Sequence, residues 1–185
     1  MRIISGTHRG RQLFPDKNFT ARPTTDFAKE NLFNILVRYV DIEGCSAVDL
    51  FSGTGSISYE LASRGAAEVV SVEKNRLHFA FIQRTAAELG FKNIRLFRTD
   101  VFIAVEKLKG RQFDLVFADP PYNLPEIHRI PAAIFDNNLL KEQGVAVIEH
   151  PATVDFSNHP FFRERRAYGS VNFSLFRKTD PECTE

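Results

Sequence analysis

FDLVFADPPY, residues 113–122, reads as a strand that runs into a hard stop. Phe113, Leu115, Val116, Phe117 and Ala118 are apolar with almost no polar interruption, the pattern of an inner parallel strand covered on both faces. Asp119-Pro120-Pro121-Tyr122 then ends it. Two consecutive prolines lack backbone N–H groups and fix φ, so the chain leaves the sheet as a stiff turn. A carboxylate, carbonyls without local competition and an aromatic ring are thereby held at the carboxyl end of a central strand, where open α/β sheets bind ligands.

Those groups suit one chemical task, methylating an exocyclic amine of a nucleobase. Asp119 and the Pro120 carbonyl can each accept one amine hydrogen, which aims the nitrogen lone pair. Tyr122, with Pro121 and Asn123 beside it, can stack on a base taken out of its helix. The tetrapeptide resembles the (D/N/S)-P-P-(Y/F/W) motif of amino-methyltransferases. Four residues alone leave open a blander reading, a proline-terminated strand whose Asp caps a turn.

Upstream, residues 47–56 (AVDLFSGTGS) predict strand, glycine loop and helix, with Ile57, Leu61 and Ala62 as the apolar stripe and Gly65 as the stop. A bare glycine loop is a weak signal. Here Ser58 stands where the dinucleotide fingerprint has its third glycine, and Asp49 would repel a pyrophosphate. An acid beside Gly53 and Gly55 suits a ligand with an ammonium and no phosphate, such as S-adenosylmethionine. The second strand, Glu68 to Val72, ends at Glu73, placed to accept ribose hydroxyls, and Asn75 can cap a helix carrying Phe79, Ile82, Ala86 and Leu89. The third strand, Ile94 to Phe97, leads to Asp100, placed to accept the adenine amine, with the next backbone amide at Val101. Phe51 and Lys74 complete the expected cofactor set, which Asp119 also borders. One acid at a strand end is usually a helix cap. Three in succession, followed by DPPY on the fourth strand, point to a single ligand cleft.

Residues 2–14 read as a hairpin, with Arg2-Ile3-Ile4 and Gln12-Leu13-Phe14 as strands and Gly6 and Gly10 in the turn. Arg2, His8, Arg9 and Arg11 decorate it. Residues 1–29 carry Arg2, Arg9, Arg11, Lys17, Arg22 and Lys29 against Asp16 and Asp26, so this segment is basic although the whole chain has a net charge of only +1. The expectation is a grip on a phosphate backbone; the alternative is an edge ribbon with solubilising charges. Thr25 should cap a helix running to about Val40, with Leu32, Phe33, Leu36, Val37 and Val40 on its apolar face. Beyond Tyr122, a short helix should start at Pro131, a fifth strand is expected over Val145 to Ile148, and Arg166–Tyr168 and Val171–Phe176 read as a closing hairpin about Gly169. Glu149 follows the fifth strand, and His150 is given no role. The second basic cluster, Arg163, Arg165, Arg166, Arg177 and Lys178, is expected to be a solvated face.

At 185 residues the chain has length for one α/β unit, and no apolar run approaches the ~18 residues of a membrane span. The polar start beginning Arg2 is unlike a signal peptide, and Cys45 and Cys183 are far apart and unpatterned, so a cytoplasmic protein without a metal is expected.

The chain resembles the RsmD-type family of bacterial 16S rRNA guanine-N2 methyltransferases. IISGTHRGRQL, RPTTDFAKENLFNIL, DLFSGTGSISYELASRGA, VVSVEKN, FADPPY and the late AYG carry the resemblance, the first two being the specific ones. It implies a Rossmann-like seven-stranded α/β S-adenosylmethionine-dependent methyltransferase fold over residues 21–180, one antiparallel strand inserted by the last hairpin, and an N-terminal β-hairpin extension over residues 1–20. It also implies that Arg22 and Thr24 close over the methionine end of the cofactor. The implied partner is 16S rRNA, within the small ribosomal subunit or an assembly intermediate, met by a monomer. Phe27 stands where the family commonly has Arg, a departure that would weaken a salt bridge or an RNA contact. Rival readings are a DNA adenine or cytosine amino-methyltransferase, for whose usual target-reading domain the chain has no room; a non-catalytic RNA-binding module, disfavoured by the intact Asp119; and a nicotinamide dehydrogenase, disfavoured by the missing glycine.

Overall fold

A computed structural model describes residues 1–15 and 26–178. The expected boundary near residue 20, with Arg22, Thr24 and the Thr25 cap, lies outside the described residues. The elements are α1 (Asp26–Leu36), β1 (Ser46–Asp49), α2 (Ser56–Ser63), β2 (Glu68–Val72), α3 (Arg76–Glu88), β3 (Ile94–Phe97), α4 (Val101–Lys107), β4 (Phe113–Ala118), α5 (Ile130–Asp136), β5 (Leu140–His150), β6 (Phe162–Tyr168) and β7 (Val171–Phe176). The strands form one seven-stranded sheet in the order β3-β2-β1-β4-β5-β7-β6. β3 through β5 run parallel, and β7 lies antiparallel between β5 and β6. The closing hairpin thus inserts its second strand, as expected.

Strand alternation divides the core in two. Val48, Val70, Val116, Ala118, Ala146 and Ile148 face α4 and α5. Ala47, Val69, Leu115, Phe117, Val145 and Val147 face α1 and α2. β1 and β4, at the centre, are apolar on both faces because both faces are covered. Asp114 is the polar exception in β4. Its carboxylate accepts from the Ser46 backbone N–H at 2.9 Å and hydroxyl at 2.8 Å, and pairs with Lys141, so it ties β1 and β5 to β4.

Some expectations change. The regular part of α1 ends at Leu36, and a turn with Val40 N–H donating to the Leu36 carbonyl finishes it. That turn swings Val37 into solvent, 63 % exposed, off the predicted apolar face. The buried face of α3 includes Phe81, which the expected stripe omitted. β5 starts at Leu140, not Val145, since Leu140 is buried against Phe113 while Lys141, Glu142 and Gln143 face solvent. Periodicity hid that polar first half. Pro131 stands in the first turn of α5, as predicted. The second basic cluster is only partly a solvated face: Arg165 and Arg166 are exposed, while Arg163 and Lys178 are half-buried. Arg177 is buried and donates to the Gln143 carbonyl at 2.7 Å, and Lys178 donates to the Leu140 carbonyl at 2.9 Å, so these two fasten the hairpin to β5, while Arg165 donates to Asn172 Oδ1 at 2.8 Å and ties β6 to β7.

The N-terminal ribbon is narrower than two strands. One antiparallel bridge joins Arg2 and Gln12. It is docked on α2, chiefly through the buried Glu60 carboxylate, which accepts from the Ile4 N–H at 2.7 Å, the Ser5 N–H at 3.0 Å and the Arg64 guanidinium at 2.8 Å. Lys29, also buried, stands 3.6 Å from Glu60 and donates to the Arg2 carbonyl and to Ser56 Oγ. Burial holds the Lys29 ammonium below the usual lysine range, against the pull of Glu60. Gly6 permits the close approach, for a Cβ there would stand 1.8 Å from the Ser63 carbonyl oxygen. Ile3 and Leu13 then seal a small apolar cluster with Tyr59, Ile82 and Ala86. Among the described residues no helix is long and apolar enough to cross a membrane.

Candidate active site

The carboxyl ends of β1, β2, β4 and β5 open into one cleft of about 1130 Å³. Asp49, Phe51, Gly53, Glu73, Lys74, Asp100, Val101, Asp119, Pro120, Pro121, Tyr122 and Asn123 all line it. The right-handed crossovers of a parallel sheet put every βα turn on this side, so residues far apart in sequence converge.

Asp49 is fully buried at the end of β1. Its Oδ2 accepts from Ser58 Oγ at 2.7 Å, while no group among the described residues bonds Oδ1. A hydroxyl chain continues from Ser58 to Ser71 at 2.9 Å, from Ser71 to Ser52 at 2.7 Å, and from Ser52 back to the Asp49 carbonyl at 3.0 Å. Burial outweighs the Ser58 and Ser52 hydroxyls, which favour the ionised carboxylate. The net effect pushes the Asp49 carboxyl up to about 6. Ser58, noted in the sequence only for not being glycine, is what holds Asp49 in place.

Glu73 reaches across from β2. One oxygen accepts from the Gly53 N–H at 2.8 Å and the other from the Asn75 N–H at 2.7 Å, which fixes the glycine loop against the start of α3. The remaining lone pairs are those a ribose diol would use. Asn75 caps α3 as expected, accepting from Leu77 N–H at 2.8 Å and from His78 N–H at 3.3 Å. Asp100 caps α4 through Phe102 N–H at 3.0 Å, and its second oxygen stands 3.8 Å from Lys74 Nζ. The cap reading and the ligand reading of this acid are therefore compatible, because each uses a different oxygen. Gly55 does not line the cleft. It sits at φ 81° as the N-cap of α2, where a Cβ would come within 2.7 Å of the Tyr59 ring.

At the DPPY turn, Pro120 is buried, Asp119 is half-buried and Tyr122, which lines the cleft, is 45 % exposed. The Tyr122 hydroxyl donates to Glu149 Oε1 at 3.0 Å. Glu149 is the site residue to which the sequence reading gave no part, although an acid directly after an apolar strand is the same signal that singled out Asp49 and Glu73. Burial, set against the tyrosine hydrogen bond, pushes its carboxyl up to about 7. His150 beside it is structural: Nδ1–H donates to the Pro151 carbonyl at 2.9 Å, so Nε2 accepts from Ser174 Oγ at 2.8 Å. Phe27 lies at the cleft wall, 65 % exposed, edge-on to Tyr168 with ring centroids 6.5 Å apart.

Arg2, His8, Arg9 and Arg11 stand apart from this cleft. Arg2 is drawn into α1, 3.7 Å from Asp26 and 3.5 Å from Glu30, and Lys29 is buried, so neither belongs to a free basic face. His8 packs on Phe91, and Arg9 and Arg11 are exposed on the ribbon turn.

The sheet order, the acid-tipped strands and the DPPY turn together define a Rossmann-like methyltransferase domain. This chain belongs to the family described as Conserved hypothetical protein 95, whose family model matches residues 1–177. The resemblance read from the sequence is borne out by relatives named ribosomal RNA small subunit methyltransferase D. That of Escherichia coli (strain K12) is 30% identical over 96% of this chain and 90% of its own length, and that of Haemophilus influenzae is 32% identical over 80% and 78%. A solved structure of a hypothetical protein from Thermus thermophilus superposes with a TM-score of 0.84 at 26% identity, covering 96% of this chain and 99% of that one.

Proposed function

We propose that this chain transfers a methyl group from S-adenosylmethionine to the exocyclic N2 amine of a guanine in 16S rRNA, in the cytoplasm, on the small ribosomal subunit or an assembly intermediate. The observation that carries the reading is that Asp119, Pro120 and Tyr122 share one cleft with Asp49, Glu73 and Asp100. The relatives' names supply the class of RNA.

The cleft suits the cofactor. Its volume admits a nucleoside with an amino-acid arm, and the buried Asp49 Oδ1 lacks a donor that an ammonium would provide. Glu73 would take the ribose hydroxyls and Asp100 the adenine amine, with Phe51, Gly53, Lys74 and Val101 forming the walls. When bound, S-adenosylmethionine supplies a methyl group on a good leaving group. The residues of the chain then have to orient the amine. Asp119 and the Pro120 carbonyl accept its two hydrogens, which favours a pyramidal nitrogen with its lone pair directed along the cleft. Tyr122 stacks on the base, its ring held by the hydrogen bond to Glu149. Orientation of this kind contributes several kcal/mol, up to ~7–11 in favourable intramolecular cases. Methylation makes the nitrogen acidic, so Asp119 suffices to receive its proton. Arg9 and Arg11 would meet phosphates outside the cleft.

The test is to incubate the protein with labelled S-adenosylmethionine and small subunits, free 16S rRNA, 23S rRNA, tRNA or DNA in parallel, then digest and identify the labelled nucleoside. N2-methylguanosine from 16S rRNA is expected. Label in DNA, or on adenine or cytosine, would refute the assignment.

A further inference from the structure

DPPY alone serves adenine, cytosine and guanine amines equally, so something else in the cleft must choose the base. Glu149 is placed to do so. Ala118 and Ile148 are register partners on the parallel strands β4 and β5, so Asp119 and Glu149 follow at the same level of neighbouring strands, about 4.8 Å apart in backbone spacing. Both line the cleft. Glu149 is only 5 % exposed; its Oε1 is taken by the Tyr122 hydroxyl, while Oε2 has no hydrogen-bond partner among the described residues. A buried carboxylate oxygen left without a donor is unfavourable unless a ligand completes it. The same tyrosine that would stack on the base is bonded to this carboxylate, so the two are set in one geometry.

The three exocyclic amines differ in the ring atom beside them. Next to the adenine N6 amine and the cytosine N4 amine lies an unprotonated ring nitrogen, an acceptor. The guanine N2 amine alone has a donor beside it, N1–H on one side, with the N3 acceptor on the other. An ionised Glu149 beside Asp119 therefore meets a hydrogen-bond donor when guanine turns its N1–H edge to it, a contact that itself favours the ionised form, and a repelling lone pair in the other two. We propose that Glu149 is the base-selecting residue of this site, its Oε2 accepting guanine N1–H while Asp119 and the Pro120 carbonyl hold the N2 amine. This rests on the guanine-N2 reading above and adds the means of selection.

The experiment compares wild type with Glu149→Gln on two substrates. One is a small subunit reconstituted with unmodified 16S rRNA. The other is the same particle carrying 2-aminopurine at the mapped target, which keeps the C2 amine but replaces N1–H with an acceptor. Glutamine retains an oxygen for the Tyr122 hydroxyl and offers an N–H to the 2-aminopurine ring. Wild type should prefer guanine. In Glu149→Gln, kcat/KM on guanine should fall about 10- to 100-fold, the loss of one charge-assisted hydrogen bond. Activity on 2-aminopurine should rise, and the dissociation constant for S-adenosylmethionine should stay within about twofold of wild type by calorimetry, which also confirms that the variant is folded. An unchanged guanine-to-2-aminopurine ratio would overturn the role of Glu149, leaving it a support for Tyr122. Weakened cofactor binding in proportion to lost activity would overturn it too, by placing Glu149 at the cofactor. Wild-type label on adenine or cytosine would overturn the guanine reading itself, and this inference with it.

Discussion

Asp49 carries an unfavourable burial that a ligand would relieve. Its folded carboxyl titrates at about 6 against an ordinary value of 3.8, so the folded state keeps a proton that the unfolded chain releases. The resulting contribution to stability is fully present below about pH 4 and is lost as the pH rises through about 6, and its size is on the order of 3 kcal/mol. Asp49→Asn cannot ionise. Ligand-free Asp49→Asn should melt several degrees above wild type at pH 8, with the gain vanishing toward pH 4 in a thermal-melt series, while binding S-adenosylmethionine about tenfold or more weakly. Asp119→Ala should separate the two halves of the cleft in the other way. Methyl transfer should fall about 100-fold or more, with cofactor affinity preserved in calorimetry. Loss of both together would place Asp119 at the cofactor.

At the scale of the element, the N-terminal ribbon has a structural part and an exposed turn, where the sequence reading set a phosphate grip against an edge ribbon. Its first strand is a structural part of the core: Ile4 and Ser5 occupy the buried Glu60 carboxylate, and Ile3 and Leu13 close the cluster over Tyr59. Deleting residues 1–14 would strand Glu60 and Lys29 and expose those side chains. The truncated chain should therefore melt on the order of 10 °C lower, a loss of several kcal/mol. The turn is where an RNA contact would be sought, while Arg2, though exposed, is shared with Asp26 and Glu30. Arg9→Ala with Arg11→Ala should leave the melting temperature unchanged and reduce the slope of log RNA affinity against log salt by about 2. A wild-type slope would make the ribbon an edge device only.

At the scale of the whole molecule, cofactor binding, protonation and folding are linked through one cleft. Below about pH 6 an ammonium must expel the Asp49 proton, so the dissociation constant for S-adenosylmethionine should weaken about tenfold for each unit of pH decrease, and level off above about pH 6. Calorimetry in buffers of different ionisation enthalpy should register proton release on binding at about pH 5.5 and much less at about pH 8. A pH-independent affinity over that range would remove Asp49 from the ammonium site.

The chain's own order of apolar runs, glycine turns and proline stops determined the parallel sheet and the acids at the ends of β1, β2 and β4, while the insertion of the last strand came from the family resemblance. Those features are local. A buried strand must be apolar, a DPP turn must leave the sheet, and Asn75 caps α3 from within its own turn. What only the tertiary structure decided was which charges are free. Arg2 and Lys29 counted as a basic face in the sequence, yet one is paired with α1 and the other buried against Glu60 on α2. Arg177 read as solvated but is buried and braces β5. Glu149 stands level with Asp119 because β5 lies beside β4, a neighbour relation that neither segment encodes alone. Charge pairing and desolvation depend on distances across the fold, between residues separated by tens of positions in the chain, and no local pattern of residue types specifies those distances.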